Sequence, residues 1–347
     1  MSVLVREGST ERNLDALIGG VLREKLPLDN LMFCTDDKHA GEIQREGHIN
    51  YNVARAMELG VGEIDAVKLA TLNAARHFRL EDEIGSITPG RLADILLVED
   101  LREMKPSQVY FEGRLVAKDC KLIQTCEVGE YPEWLKNTVK LKQLITEKSF
   151  RVPARTDRPQ TQVTVIDLID RQIINKRLTL PCVNGEILAD PVHDILKLAI
   201  VERYGKTGGV GVGFVRGFGL REGAMAYSMS HDHHNIVVVG VNELDMAQSV
   251  KVIQEMQGGL CVVRNGEVMA KMRLPIGGLM SEQDAGTVMR ELDGLNAAAR
   301  SLGCRGSAPF MTLSFISLPT VPELGLTDMG LVDVLEHRLI PVEIPEK

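Results

Sequence analysis

Leu31-Met32-Phe33-Cys34-Thr35-Asp36-Asp37 is the stretch on which the fold of this chain turns. Four apolar residues in a row suit a short strand buried on both faces, and the polar Thr-Asp-Asp ends it. Upstream, Ser2 to Val5 reads the same way and gives way to Arg6-Glu7-Gly8-Ser9, with a helical pattern from Asn13 to Lys25 between the two strands. Strand, helix and strand in that order predict a parallel βαβ unit. Downstream, Ile49 to Leu59 and Glu63 to Phe78 read as helices. Gly60 falls where the first should end, and Ile64, Val67, Thr71, Ala74 and Phe78 follow one face of the second. Two such units cannot close a parallel sheet, and a complete (β/α)8 barrel takes about 250 residues. The opening is therefore expected to be the end of a larger parallel structure.

From Glu83 the pattern changes to short strands. Gly85-Ser86-Ile87-Thr88-Pro89-Gly90 is a turn-rich corner, Ala93 to Val98 and Gln108 to Glu112 are strands, and Gly113-Arg114 joins Val109-Tyr110-Phe111 to Leu115-Val116-Ala117 as a hairpin. Residues 131–162 hold Pro132, Pro153 and Pro159 and a basic run from Lys136 to Arg158, expected to be a linker with one short helix and a solvated face. An α/β domain follows over 163–347. Its expected strands lie near Val163 to Ile169, Ile236 to Gly240, Gly259 to Val263 and Glu267 to Met269, with helices near Asp245 to Gln257 and Ser281 to Leu302.

The 347 residues carry 40 Lys+Arg against 48 Asp+Glu, a formal charge of −8, with 4% aromatic residues. That balance argues against a nucleic-acid partner, which calls for a basic footprint and stacking platforms. No apolar run approaches the ~18 residues of a membrane span, and the N-terminus turns charged too soon for a signal peptide, so a cytoplasmic protein with a small-molecule partner is expected. The six cysteines show no metal-ligand spacing. Cys120 and Cys126 are close enough in sequence to bridge, though nothing points to an oxidising compartment.

Three features bear on chemistry. Thr35-Asp36-Asp37 ends a strand, where barrels place their chemistry, and leads into His39, Glu42, Glu46 and His48; Asp at that position is equally a helix N-cap. Glu7 also ends a strand and suits either the same mouth or a helix N-terminus. His231-Asp232-His233-His234-Asn235 gathers three of the eight histidines in front of an apolar strand. If extended, it would face His231 and His233 one way and Asp232 and His234 the other, which suits two roles better than one metal cluster; the plain alternative is a polar strand entrance in water. The segment 205–223 has eight glycines and contains Gly205-Lys206-Thr207, but a phosphate loop needs glycine where Ile200 stands. Such glycines allow close approach of a ligand or of another domain, and both readings stand. Neither HExxH nor GxSxG occurs, and Pro181-Cys182 lacks the second cysteine of the zinc nucleobase deaminases.

The runs Ala70-Thr71-Leu72-Asn73-Ala74-Ala75-Arg76 and Gly85 to Ile95 resemble the closing segment of the amidohydrolase superfamily, a metal-dependent (β/α)8 barrel with a small β-sandwich. With Met1 to Ser9, Cys34-Thr35-Asp36-Asp37, Glu46-Gly47-His48-Ile49, Ser230 to Val238 and Gly258 to Gly266, the likeness narrows to the bacterial adenine deaminases and runs through almost the whole chain. The resemblance implies hydrolysis of adenine to hypoxanthine and ammonia, in purine salvage, at a centre of two Mn2+ or Fe2+ ions. It places Asp36 at the end of the eighth barrel strand, as a metal ligand that shuttles a proton; Glu7, from its own strand end, is the second catalytic candidate. Thr35, His48, His231, Asp232, His234 and Asn235 become substrate-binding or active-site candidates.

The implied architecture is α/β: the last two βα units of a barrel over 1–80, part of a β-sandwich over 81–130, and a C-terminal domain of adenine deaminase type. The family's other metal ligands, a His-x-His, a bridging glutamate and two further histidines, belong to barrel strands expected before residue 1. Alone, the chain is therefore expected to be inactive or nearly so. It reads as a C-terminal part, as a subunit completed by a missing N-terminal half or by homo-oligomerisation, or as an amidohydrolase acting on another cyclic amide.

Overall fold

The computed structural model describes residues 1–9, 12–123, 129–155, 158–169, 172–306, 308–320 and 323–344. The chain divides into two compact units, Met1–Gly129 and Glu130–Lys347.

In the first unit β1 (Val3–Arg6) is followed by α1 (Leu14–Arg23) and β2 (Leu31–Cys34). The strands pair in parallel, Val3 opposite Leu31 and Arg6 opposite Cys34, so Glu7 and Thr35 leave the pair side by side. Helices α2 (Ala40–Glu46), α3 (Ile49–Glu58), α4 (Glu63–Ala70) and α5 (Leu72–His77) follow. Val5 and Phe33 pack with Leu14 and Ile18 of α1, Val53 and Ala56 of α3, and Ala66 and Leu69 of α4. The single helix expected over Glu63 to Phe78 breaks at Thr71, whose φ is −130° and whose hydroxyl donates to Val67 O at 2.8 Å. A β-branched residue bonding back to the preceding turn competes with the helix's own ladder. Two buried asparagines tie β2 to the helices: Asn52 Nδ2 donates to Cys34 O (3.1 Å), and Asn73 Nδ2 to Leu28 O (3.0 Å) and Leu31 O (2.9 Å).

Strands β3 (Ile95–Val98), β4 (Pro106–Phe111), β5 (Arg114–Lys118) and β6 (Lys121–Leu122) form an antiparallel meander in strand order. The hairpin turn falls on Glu112-Gly113, one residue earlier than expected, because both residues have positive φ (48° and 76°) as a type I′ turn requires. Cys120 is exposed, and Cys126 lies outside the described residues.

The second unit begins before the segment expected to be a linker. Val139 and Phe150 are buried and pack with Ala199, Val201 and Val238, because the basic run alternates with apolar residues that lie on the sheet. Strands β7 (Val152–Pro153), β8 (Gln160–Ile169), β9 (Gln172–Val183), β10 (Glu186–Ile187), β11 (Ile195–Val201), β12 (Val210–Arg216), β13 (Ala224–Tyr227) and β14 (Ile236–Gly240) precede α6 (Glu243–Met256), β15 (Gly259–Arg264) and β16 (Glu267–Arg273). They build one ten-stranded sheet, β16-β15-β13-β14-β11-β12-β8-β9-β10-β7, in which β8 and β12 run parallel and the other described pairings are antiparallel. Helices α7 (Ala285–Ser301) and α8 (Pro309–Phe315) and the small sheet β17 (Leu324–Thr327), β18 (Gly330–Asp333) and β19 (Arg338–Ile340) complete it.

Alternation divides the core between the two faces of the sheet. Leu196, Leu198 and Ile200 of β11 and Val237 and Val239 of β14 pack with α7, α8 and β17; Ala199, Val201, Ile236 and Val238 pack with Met246, Val250 and Ile253 of α6. Asn242 and Asp284 start α6 and α7 by accepting from Asp245 N and Thr287 N.

The glycine-rich segment meets part of its own unit. A Cβ on Gly211 of β12 would lie 1.9 Å from Thr327 O, so the glycine admits the β17–β18 hairpin. The neighbouring loop does wrap an anion, the buried carboxylate of Glu202, which accepts from the backbone N–H groups of Tyr204, Lys206, Thr207 and Gly208 at 2.6–3.3 Å. Burial alone would raise its pKa, but those four donors hold it below the ordinary carboxylate value.

Candidate functional site

At the end of the parallel pair, Glu7 N continues the ladder by donating to Cys34 O (3.1 Å). The Glu7 side chain is buried, and its Oε2 accepts from Leu14 N (3.1 Å), the first residue of α1. Asn13 makes no side-chain cap, so Glu7 serves the helix N-terminus from seven residues away. Burial pushes its carboxyl above the ordinary value, opposed by the Leu14 N–H and by Arg12, whose Nη1 lies 3.9 Å from Oε1. Glu7 also lines an open cleft of about 330 Å³ with Arg12, Asp15, Tyr51, Ala54, Arg55 and Glu58.

Asp36 sits in the left-handed region (φ 53°) with its side chain 48% exposed, so its carboxylate reaches solvent from the strand end. Arg6 Nη2 lies 3.0 Å from Asp36 Oδ2 and donates to Asp37 Oδ1 at 2.6 Å. Gly8 makes room for that arrangement, since a Cβ there would fall 1.6 Å from Asp37 Oδ1. Thr35 Oγ1 and His48 Nε2 are 2.9 Å apart, and His48 N donates to Asn50 Oδ1 (2.8 Å) at the start of α3. The structure thus brings Thr35, Asp36 and His48 together at the end of β2, while Glu7 ends the neighbouring β1 with its side chain turned to Leu14 N and to a cleft that none of the three lines.

Three cations around these strand ends were not singled out from the sequence. Arg6 bridges the two aspartates; Lys38 is buried 4.2 Å from the centre of the Tyr51 ring and 3.3 Å from Glu46 Oε2; Arg12 Nη2 donates to Glu46 Oε1 at 2.9 Å. The signal available was Asp-Asp-Lys directly after a strand, where two acids and a base must be neutralised together. Among the described residues no three His, Cys, Asp or Glu side chains converge to hold a metal ion. Asp36 offers one carboxylate, with a guanidinium against it, and this donor set does not fit a two-metal centre.

The second constellation lies in the second unit. Residues 231–235 form a turn before β14 instead of an extended entrance, closed by His234 N donating to Ser230 O (2.7 Å). His233 Nδ1 faces Ser230 Oγ and accepts from Asn235 N, both at 3.2 Å, and Asn235 Nδ2 donates to Asp328 Oδ1 (3.2 Å). Burial lowers the pKa of both His233 and His234, favouring neutral rings. Arg203, fully buried, fastens the turn: its guanidinium donates to His234 O, to Gly277 O (3.0 Å) and to Thr138 Oγ1 (3.4 Å). Gly278 (φ 73°) leaves space for it, since a Cβ would fall 2.5 Å from Arg203 Nη1. His231 packs on the end of α8, against Ser314 and Phe315, neither of which the sequence marked.

Residues 172–338 match the family described as the adenine deaminase C-terminal domain, and residues 7–116 match the amidohydrolase family. Residues 172–338 are thus similar to the C-terminal domain of the adenine deaminases. It is similar to the adenine deaminase of Desulforamulus reducens, 54% identical over 99% of this chain and 58% of that protein. The adenine deaminases of Moorella thermoacetica and Methanococcoides burtonii are 37% and 38% identical over 98% of this chain and 57% of theirs. The chain therefore spans somewhat more than half the length of these relatives. The Thr35-Asp36 strand end falls inside the amidohydrolase match and the His231 turn inside the C-terminal-domain match. No helix of the described residues is long and apolar enough to cross a membrane.

Proposed function

We propose that this chain takes part in the hydrolytic deamination of adenine to hypoxanthine and ammonia, supplying one acid of the reacting site together with a C-terminal domain. The observation that carries this reading is the solvent-reaching Asp36 carboxylate at the end of a parallel strand, in a chain 54% identical over 99% of its length to an adenine deaminase. Purine salvage is the process this reaction serves.

In the reaction a water adds across C6 and N1 of adenine, its oxygen to C6 and one proton to N1; its second proton passes to the departing amino group, and the C6–N bond breaks to release ammonia and leave the C6 carbonyl. Asp36 is the group of this chain placed to accept that proton at Oδ1 or Oδ2 and return it, a role worth about 10²–10⁴ in rate. Arg6 fixes the direction of the carboxylate, and the Thr35–His48 pair holds the loop that carries it. Glu7 is a second, protonatable acid at the neighbouring strand end. The family's Mn2+ or Fe2+ would meet at Asp36 a single carboxylate with a guanidinium against it, a donor set that does not fit a two-metal centre. This favours action as part of a larger assembly over independent turnover.

The test is complementation. This chain is produced with the part of the D. reducens relative that it does not span, with Mn2+ or Fe2+ added, and hypoxanthine is measured from adenine. Hypoxanthine should form, and Asp36→Asn should lower the rate at least a hundredfold with an unchanged melting temperature. An equal rate in the Asn variant, or hydrolysis of a hydantoin-type ring in place of adenine, would overturn the reading.

A further inference from the structure

His231 is held more firmly than a polar strand entrance requires. Its backbone N donates to Ser314 O (3.3 Å), its carbonyl lies 3.1 Å from Ser317 Oγ, whose proton is shared with the nearer Ser314 O (2.7 Å), and its ring Nδ1 lies 2.6 Å from Ser314 Oγ. The ring also stacks on Phe315, with centroids 4.6 Å apart and planes within 5°. Four contacts from one helix end therefore fix a partly exposed imidazole.

The hydrogen-bond directions fix its protons as well. Ser314 is fully buried, and its hydroxyl donates its single proton to Met229 O, a carbonyl with none to return. Ser314 Oγ can then only accept from His231, so the neutral ring is the Nδ1–H tautomer and Nε2 carries the lone pair. Among the described residues nothing donates to Nε2. An imidazole oriented through one nitrogen leaves the other able to take a metal ion or to accept from an N–H or O–H donor. The metal is disfavoured because no further ligand set converges here among the described residues.

The structure assigns Nε2 of His231 as the acceptor for an N–H group of a purine ligand, with Ser314 and Phe315 as positioning residues. The choice of a purine rests on the function proposed above; the acceptor geometry does not. If His231 served only to fasten α8 to the turn, Nε2 would be indifferent to ligand.

The test uses the whole chain labelled with 15N-histidine, with unsubstituted purine as the probe and 9-methylpurine, which has no N–H, as its control. Long-range 1H–15N spectra should show His231 protonated at Nδ1 and bare at Nε2. Purine should shift the Nε2 resonance, and 9-methylpurine should leave it in place. His231→Gln should weaken purine binding about tenfold, the worth of one hydrogen bond. Ser314→Ala keeps the imidazole, and should populate both tautomers and weaken binding several-fold. A bare Nδ1 in the unmodified chain, an equal response to 9-methylpurine, unchanged affinity in both variants, or a shift caused by Mn2+ and not by purine would each overturn the assignment. A purine-dependent shift without hypoxanthine in the complementation assay supports the assignment and removes the reaction; hypoxanthine without the shift does the reverse.

Discussion

Glu7 is the most buried of the acids expected at the strand ends, and its titration separates its two roles. Burial raises its carboxyl above the ordinary 4.5. A raised value in the folded state means that folding favours the protonated form, so the associated stability is complete below about pH 4.5 and is lost as pH rises through the folded value. Glu7→Gln keeps an oxygen for Leu14 N and removes the titration. The variant should therefore gain on the parent as pH rises from 4.5 in thermal melts between pH 4 and 8. Parallel curves would show that Glu7 does not titrate differently in the two states. The sequence made Glu7 and Asp36 visible because both follow short apolar strands. Of the two readings open for Glu7, the helix N-terminus is the one its side chain takes, across a seven-residue gap that only the fold closes. The sequence did not show that Ser314 orients His231, a contact across 83 residues of chain.

At the scale of elements, legibility followed periodicity. The βαβ opening and helices α6 and α7 were readable from the sequence, but the caps at Asn242 and Asp284 start the helices two residues before and four residues after the expected positions. Strands β11 to β13 were not, because β11 carries Lys197 inside its apolar run, β13 is four residues of which two are alanine, and β12 is interrupted by Gly211 and Gly213. Those glycines now have a structural reason that a substitution can test. Gly211→Ala sets a Cβ against Thr327 O, backbone that cannot rotate away, and should destabilise by about 1–3 kcal/mol in urea titrations. Gly294, inside α7 with open space around it, should respond oppositely: Gly294→Ala should stabilise by roughly 0.5–1 kcal/mol through helix propensity. Equal effects at the two sites would mean that the hairpin does not sit on β12 as described.

For the whole molecule, the two units differ in what holds them. Three apolar clusters lie in Glu130–Lys347, on both faces of one ten-stranded sheet, and helices cover those faces from within the same unit. Met1–Gly129 has one cluster around a two-stranded parallel sheet. Its four-stranded meander buries none of its strand residues and exposes Leu96, Leu97, Phe111 and Leu122. Burial of apolar surface is the main favourable term in folding, at about 25 cal/mol per Å², and short parallel pairs gain little from their ladder. Residues 130–347 produced alone should therefore unfold in one cooperative urea transition, followed by circular dichroism. Residues 1–129 alone should show a shallow or absent transition and should bind a dye that reports exposed apolar surface. The reverse result, a cooperative 1–129 and a non-cooperative 130–347, would mean that the parallel pair, with Asp36 at its end, draws its rigidity from its own helices.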